Sequence, residues 1–162
     1  MHRYQLGAAQ IVSEMALTGL AEGEAGEDVV ISIRRGCADE LGLSWLEHAD
    51  GAELTPDWVG VRYQRSTESS WYRVSYDYHG HIADIGIRAD GREIIVHAGE
   101  GEADSEVANL IEGPILARAT RLAGRPCLHA TALEADGRAI ALMGPSGAGK
   151  SSLAWALIEQ GC

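Results

Sequence analysis

Lysine is almost absent from this chain. Of its 13 strongly basic residues only Lys150 is a lysine, and the others are all arginine. Arginine carries a broad planar fork, whereas lysine carries a compact ammonium group that can reach between the oxygens of a phosphate chain. Lys150 therefore marks a position where arginine could not replace lysine. We expect a functional site at this position.

Cysteines and long apolar runs are also scarce. The chain has 3 cysteines and no C-x-x-C pair, which argues against a disulfide framework and against a zinc knuckle. No apolar stretch approaches the ~20 residues that cross a bilayer, and the first residues lack the apolar core of a signal peptide. The sequence therefore predicts a cytoplasmic protein with no membrane partner.

Acidic residues outnumber basic ones. The formal net charge is −11, and 46% of the residues are hydrophobic, as in an ordinary globular protein. A negative surface of this size repels phosphate backbones and anionic lipid headgroups. The composition thus argues against nucleic acid as a partner.

The single lysine lies in residues 144–151, which match the phosphate-loop pattern G-x-x-x-x-G-K-[ST] without a mismatch. In such a loop the backbone N–H groups form a concave site for phosphates, and the following helix points its positive end at the same place. Lys150 is expected to reach the outer phosphates, and the Ser151 hydroxyl is expected to ligate Mg²⁺. The predicted phosphate-binding residues are Gly144, Ser146, Gly147, Ala148, Gly149, Lys150, Ser151 and Ser152. We expect the three glycines of this set to take a positive φ.

The surroundings of the loop agree with this interpretation. Residues 138–143 form a short apolar run that predicts a buried strand, and residues 152–160 are rich in helix formers. Gly161 stands where a helix-terminating glycine is expected. The loop also resembles the G-x-S-x-G turn of serine hydrolases, but Ala148 occupies the last glycine position and Lys150 would have no role.

Three regions follow from the periodicity of the chain. Residues 1–104 are β-rich, with strand-like runs at 28–33, 58–63, 71–76, 82–87 and 93–96 and a hairpin signal at Asp90-Gly91. Residues 105–124 form a helical connector in which Pro114 opens a second helix and Gly124 ends it. Residues 125–162 contain a second hairpin at Asp136-Gly137 and the phosphate loop. The predicted fold class is therefore α+β or α/β.

Residues 128–133, 136–139, 144–154 and 161 together resemble the C-terminal catalytic domain of HPr kinase/phosphorylase and its related kinases. The resemblance covers residues 126–161 well and is weak before about residue 80. It implies the start of a nucleotide-binding domain of the HPr kinase/PEP carboxykinase-like type. It also implies an enzyme that uses ATP and Mg²⁺ to phosphorylate a serine hydroxyl on a protein or peptide.

The resemblance implies roles for individual residues. Lys150 is carried over as a catalytic and phosphate-binding residue, and Ser152 as a group near the α-phosphate. His129 matches a family histidine that would lie beside the phosphates, and its alternative role is that of a hydrogen-bonded core residue. Leu153, Leu157 and Ile158 would be partly exposed unless the β region or another chain covers them, which allows a homo-oligomer.

The chain departs from the family after Gly161. Family members continue into an apolar strand that ends in paired aspartates, whereas this sequence ends at Cys162, so the kinase-like segment is expected to be incomplete. The alternative function is that of a non-catalytic nucleotide- or peptide-binding protein. A transporter-type ATPase shares the loop but would need a long helical domain after it.

Overall fold

The computed structural model describes residues 1–23, 29–37, 40, 45–47, 60–66, 70–78, 81–98 and 104–161. The chain divides into two compact units, Met1–Arg125 and Pro126–Cys162. The described residues form a mixed α+β structure in which strands predominate, as the sequence predicts.

The strands described in the first unit form one sheet. They are β1 (His2–Leu6), β2 (Ala9–Ser13), β3 (Ala21–Glu22), β4 (Val29–Arg35), β5 (Trp45–Glu47), β6 (Gly60–Ser66), β7 (Trp71–Tyr78), β8 (His81–Arg88) and β9 (Glu93–Ala98). Their order in the sheet is β3-β1-β2-β4-β9-β8-β7-β6-β5. The β2–β4 and β4–β9 pairs are parallel, and the other neighbours are antiparallel.

Three of the predicted strand runs lie inside β7, β8 and β9, and the Asp90-Gly91 hairpin that joins β8 to β9 is confirmed. The runs predicted at 28–33 and 58–63 overlap β4 and β6, but their first residues lie outside the described ones. Strands β1 and β2 were not among the predicted runs. In β2 the burial alternates strictly, but the buried face includes Ser13 and the other face carries the apolar Val12, so the sequence itself does not alternate cleanly. In β1 only Tyr4 is buried, which leaves a weak strand signal.

One face of this sheet is buried because its strands alternate apolar and polar residues. On β4, Ile31 and Ile33 are almost fully buried, and so are Ile85 and Ile87 on β8. Side chains two residues apart in a strand share a face, so these isoleucines form one continuous apolar layer.

Helices cover that apolar layer. Helix α1 (Asp104–Leu110) continues through a π-helical turn (Ile111–Ile115) into α2 (Leu116–Leu122). The helical conformation breaks at Gly113, with φ −88° and ψ −106°, so that Pro114 starts the second helix as predicted. Gly124, with φ +80°, follows α2, and the Arg125 N–H donates to Thr120 O in the pattern of a helix-terminating glycine. The buried helical residues in the same core as the sheet are Val107, Ala108, Ile111, Ile115, Leu116 and Ala119.

The turn between β8 and β9 lies against α2. Gly91 has φ +72°, and a Cβ atom at this position would lie 2.0 Å from Ala119 O and 2.6 Å from the Ala123 nitrogen. Both the left-handed conformation and the lack of a side chain are therefore needed here. This glycine fixes how closely the hairpin approaches the helix.

The opposite face of the sheet carries ion pairs. Asp84 on β8 accepts hydrogen bonds from Arg73 Nε at 3.0 Å, from Arg73 Nη2 at 2.5 Å and from the Ser75 hydroxyl at 2.5 Å. Burial by itself would raise the pKa of Asp84, but the hydrogen bonds from Arg73 and Ser75 outweigh it and hold that pKa below its ordinary value. The carboxylate is therefore charged in the folded protein at neutral pH.

The second unit is much smaller. It contains a hairpin of β10 (Ala130–Ala135) and β11 (Arg138–Met143), followed by α3 (Lys150–Ile158). Asp136 and Gly137 have φ values of +51° and +71°, as a two-residue hairpin turn requires, so the second hairpin prediction is confirmed. Gly161, with φ +96°, follows the last turn of α3 as expected. Among the described residues of this unit, the buried hydrophobic ones are Leu133 and Ala154.

Candidate functional site

The phosphate-loop sequence forms the connection from β11 to α3. Strand β11 ends at Met143 and α3 begins at Lys150, with Gly149 as its N-cap. The Ala148 N–H donates to Pro145 O at 3.2 Å, which closes a tight turn inside the loop. The first N–H groups of an α-helix have no partner within the helix. The loop therefore ends at a set of backbone N–H groups that can donate hydrogen bonds to an anion.

The glycines of the loop differ in what they contribute. Gly147 and Gly149 have φ values of +78° and +80°, and a Cβ atom at either position would have nothing within 4 Å. Their backbone conformation, rather than crowding, requires glycine. The expectation that Gly144 also takes a positive φ was wrong, because Gly144 follows directly on the extended strand β11.

Lys150 lies across the loop. Its Nζ donates to Gly144 O and to Pro145 O, each at 2.9 Å. Two loop carbonyls thus hold the ammonium group beside the loop, and one further Nζ–H remains for another acceptor. A positive charge is in this way fixed beside the first two residues of the loop.

A cavity of about 440 Å³ lies at this point. It is lined by His129, Ala130, Thr131, Ser146, Gly147, Ala148, Gly149, Lys150, Ser151 and Ser152. Eight of the nine residues that the sequence singled out therefore meet in one cavity. The ninth residue, Gly144, is not part of the lining, but its carbonyl oxygen accepts a hydrogen bond from Lys150 Nζ and so helps to position the ammonium group.

His129 is at the edge of the cavity. The sequence placed it on a strand, but β10 begins one residue later, at Ala130. His129 is exposed, so its alternative role as a core histidine is wrong. Because Ala130 pairs with Met143, the histidine lies next to the start of the loop.

Ala130 and Thr131 were not predicted as site residues. Thr131 pairs with Leu142 across the hairpin, and its side chain shares a strand face with Leu133, which is buried. Helix α3 packs on β10, and its Ala154 is the buried residue of that helix. The alternation of side chains along β10 was the sequence signal for Thr131, since it places residues 131 and 133 on one face of the strand.

The charges of the cavity favour an anion. Its lining includes the Lys150 ammonium group and contains no aspartate or glutamate. In the described part of the chain, no group of three or more histidine, cysteine or acidic residues is arranged to hold a metal ion. A metal at this site would therefore depend on Ser151 and on oxygens that the anion itself brings.

A scan against protein-family models and searches of curated proteins and of solved structures found no match to this chain. Among the described helices, none is both long and apolar enough to cross a membrane.

Proposed function

We propose that this chain binds the phosphates of ATP together with Mg²⁺ in the cavity of the second unit. The observation that carries the proposal is the convergence of the loop, the single lysine and the start of α3 on one cavity without a carboxylate. Backbone donors and a fixed ammonium group are what a polyphosphate chain needs.

Each part of the cavity has a role in this proposal. The N–H groups of Gly147 and Gly149 contact the inner phosphates, while the Ala148 N–H closes the turn at Pro145 O. Lys150 turns from the loop carbonyls toward the outer phosphates. Ser146, inside the loop, and Ser152, in the first turn of α3, supply further hydroxyl groups. Ser151 would hold Mg²⁺ together with phosphate oxygens, since the lining offers no carboxylate. The ion would neutralise the charge on those oxygens.

The proposed reaction is phosphoryl transfer from ATP to a serine hydroxyl of a protein or peptide. It is supported by the order of strand, loop and helix and by the resemblance of residues 126–161 to HPr-kinase-related proteins. We accordingly assign the second unit to the start of an HPr kinase/PEP carboxykinase-like nucleotide-binding domain. We place the protein in the cytoplasm, and the free thiols of Cys37 and Cys127 agree with that compartment.

A second candidate function is nucleotide binding without turnover. It is favoured by the absence of a carboxylate from the cavity lining, because a carboxylate commonly orients the acceptor hydroxyl in phosphoryl transfer. For the kinase, His129 is the side chain of the lining that would take the role of a general base.

Binding is tested by fluorescence titration of the purified chain with a fluorescent ATP analogue and Mg²⁺. We expect Lys150→Ala to abolish binding, and Lys150→Arg to restore little of it because the guanidinium group is too broad for the site. Arg138→Ala is the matched control: it also removes one positive charge from the second unit, at an exposed position outside the cavity lining. Equal binding by the native chain and Lys150→Ala would refute the phosphate-site assignment.

Turnover is tested separately by measuring ADP release with and without a library of serine-containing peptides. Peptide-dependent ADP formation that Lys150→Ala eliminates supports the kinase. Tight ATP binding without ADP formation supports the second candidate.

A further inference from the structure

We propose that the Thr131 hydroxyl binds the terminal phosphate of the bound nucleotide and makes this cavity prefer a triphosphate to a diphosphate. The inference rests on the proposed function, since it assigns a residue to the same phosphate site. The loop pattern does not include Thr131, which lies in the other strand of the hairpin.

The position of Thr131 is set by the register of the hairpin. Thr131 pairs with Leu142, two residues before the loop begins, whereas Ala130 pairs with Met143. Its side chain is therefore on the same strand face as Leu133. Leu133 is buried on that face, and α3 packs on β10, so Thr131 lies on the strand face toward α3.

The groups proposed for the outer phosphates are the Lys150 ammonium group and the Ser151 hydroxyl, whereas Ser152 of the same helical turn is expected near the α-phosphate. Lys150 and Ser151 both line the cavity, and Thr131 lines it from the strand side. The Lys150 ammonium group donates to Gly144 O, and Ala130, the residue before Thr131, pairs with Met143, which directly precedes Gly144. The Thr131 hydroxyl group is therefore at the end of the loop where the Lys150 ammonium group lies, and we assign it to the terminal phosphate.

The chemistry of residue 131 supports a polar role. Thr131 is half-buried, and within the part of the chain that the structure describes its hydroxyl group has no hydrogen-bond partner in the protein. A valine at this position would have the same shape and would suit a strand at least as well. The stability of the strand therefore does not explain why residue 131 carries a hydroxyl group. A phosphate oxygen would supply the partner, and a hydrogen bond to a charged group is stronger than one between neutral groups.

The test compares Thr131→Val, which removes the hydroxyl at constant shape, with Thr131→Ser, which keeps it. Isothermal titration gives the Kd of each variant for ATP and for ADP, both with Mg²⁺, and far-UV circular dichroism verifies that each variant is folded. For Thr131→Val we expect the ATP Kd to rise about ten-fold and the ADP Kd to change less than about two-fold, which is the loss of one hydrogen bond to a charged group. Thr131→Ser should bind both nucleotides like the native chain.

The possible outcomes separate this inference from the proposed function. If the native chain binds ATP and Lys150→Ala does not, but Thr131→Val binds ATP normally, then Thr131 makes no phosphate contact and only this inference is overturned. Equal weakening of ATP and ADP by Thr131→Val would also overturn it, because the lost contact would not be to the terminal phosphate. If the native chain binds neither nucleotide, the proposed function is refuted and this inference with it.

Discussion

The two units of this chain bury very different shares of their apolar side chains. In the first unit, isoleucines from the central strands and from the π-helical turn form one core, and many of these side chains are almost fully buried. In the second unit, only Leu133 and Ala154 are buried among the described hydrophobic residues. Of the eight large hydrophobic residues that are exposed in the described part of the chain, six belong to it: Leu128, Ile140, Met143, Leu153, Trp155 and Ile158.

Charge is divided just as unevenly. Ten of the eleven net negative charges belong to residues 1–125, and residues 126–162 are close to neutral. A nearly neutral unit suits a polyphosphate site, because few acidic side chains repel the negatively charged ligand. The comparison indicates that the first unit contributes most of the folding free energy. The second unit carries the candidate phosphate site, and its conformation depends mainly on local turns.

Truncating core residues should show this difference most strongly. Ile85→Ala removes a fully buried side chain from the first unit and should cost about 4 kcal/mol of unfolding free energy. Leu133→Ala, with fewer buried neighbours, should cost roughly 1–2 kcal/mol and act on the hairpin alone. Urea unfolding followed by circular dichroism measures the first effect, and amide hydrogen exchange of residues 130–143 measures the second. Equal costs for both variants would contradict the comparison.

The two Asp-Gly turns provide a second matched pair. Gly91 and Gly137 have nearly the same φ, +72° and +71°, but a Cβ at Gly91 would meet the backbone of α2, whereas one at Gly137 would have nothing within 4 Å. Gly137→Ala should cost about 1 kcal/mol, the price of a left-handed alanine. Gly91→Ala should cost about 3 kcal/mol, because a backbone shift is added to the same strain. Thermal unfolding of both variants measures the difference, and similar midpoints would show that the hairpin can move away from the helix.

Acid should destabilise the first unit through Asp84. Its folded pKa lies below the unfolded value, so its stabilising effect is full above about pH 4 and is lost as the pH falls through the folded pKa. At pH 7, Asp84→Asn should cost about 2 kcal/mol, because Arg73 loses its charged partner in a partly buried pair. Between pH 4 and 2 the native chain should lose stability faster than the variant. Parallel slopes of unfolding free energy against pH would contradict this role of Asp84.

The sequence predicted the local features of both units better than their packing. The Asp-Gly turns, the helix start at Pro114 and the glycines that follow α2 and α3 depend on the conformational preferences of single residues, and each is found where it was expected. The parallel pairing of β2 with β4 and of β4 with β9 depends on contacts between distant segments, which no local pattern encodes.

The cavity shows the same limit. The loop residues follow from one motif, but Thr131 enters only because the hairpin register brings β10 beside the loop. The ordinary φ of Gly144 was missed because the motif specifies a residue type and not the conformation that the preceding strand imposes. A motif thus identifies the residues of the phosphate loop itself. The residues that line the cavity beside the loop depend on how the chain folds around it.

The smallest effect on stability should come from the residue with the largest effect on binding. Lys150 donates to two loop carbonyls, one on the half-buried Gly144 and one on the exposed Pro145, and water can replace the ammonium group at both. Lys150→Ala should therefore change the unfolding free energy by less than about 0.5 kcal/mol, as expected for a change near the surface. Urea unfolding of this variant beside Arg138→Ala measures the effect. A cost above about 1.5 kcal/mol, the upper end for an ordinary hydrogen bond, would mean that Lys150 supports the loop rather than serving the ligand. A negligible cost together with lost ATP binding would separate function from stability within the second unit, in contrast to Asp84, whose ion pair contributes to the fold.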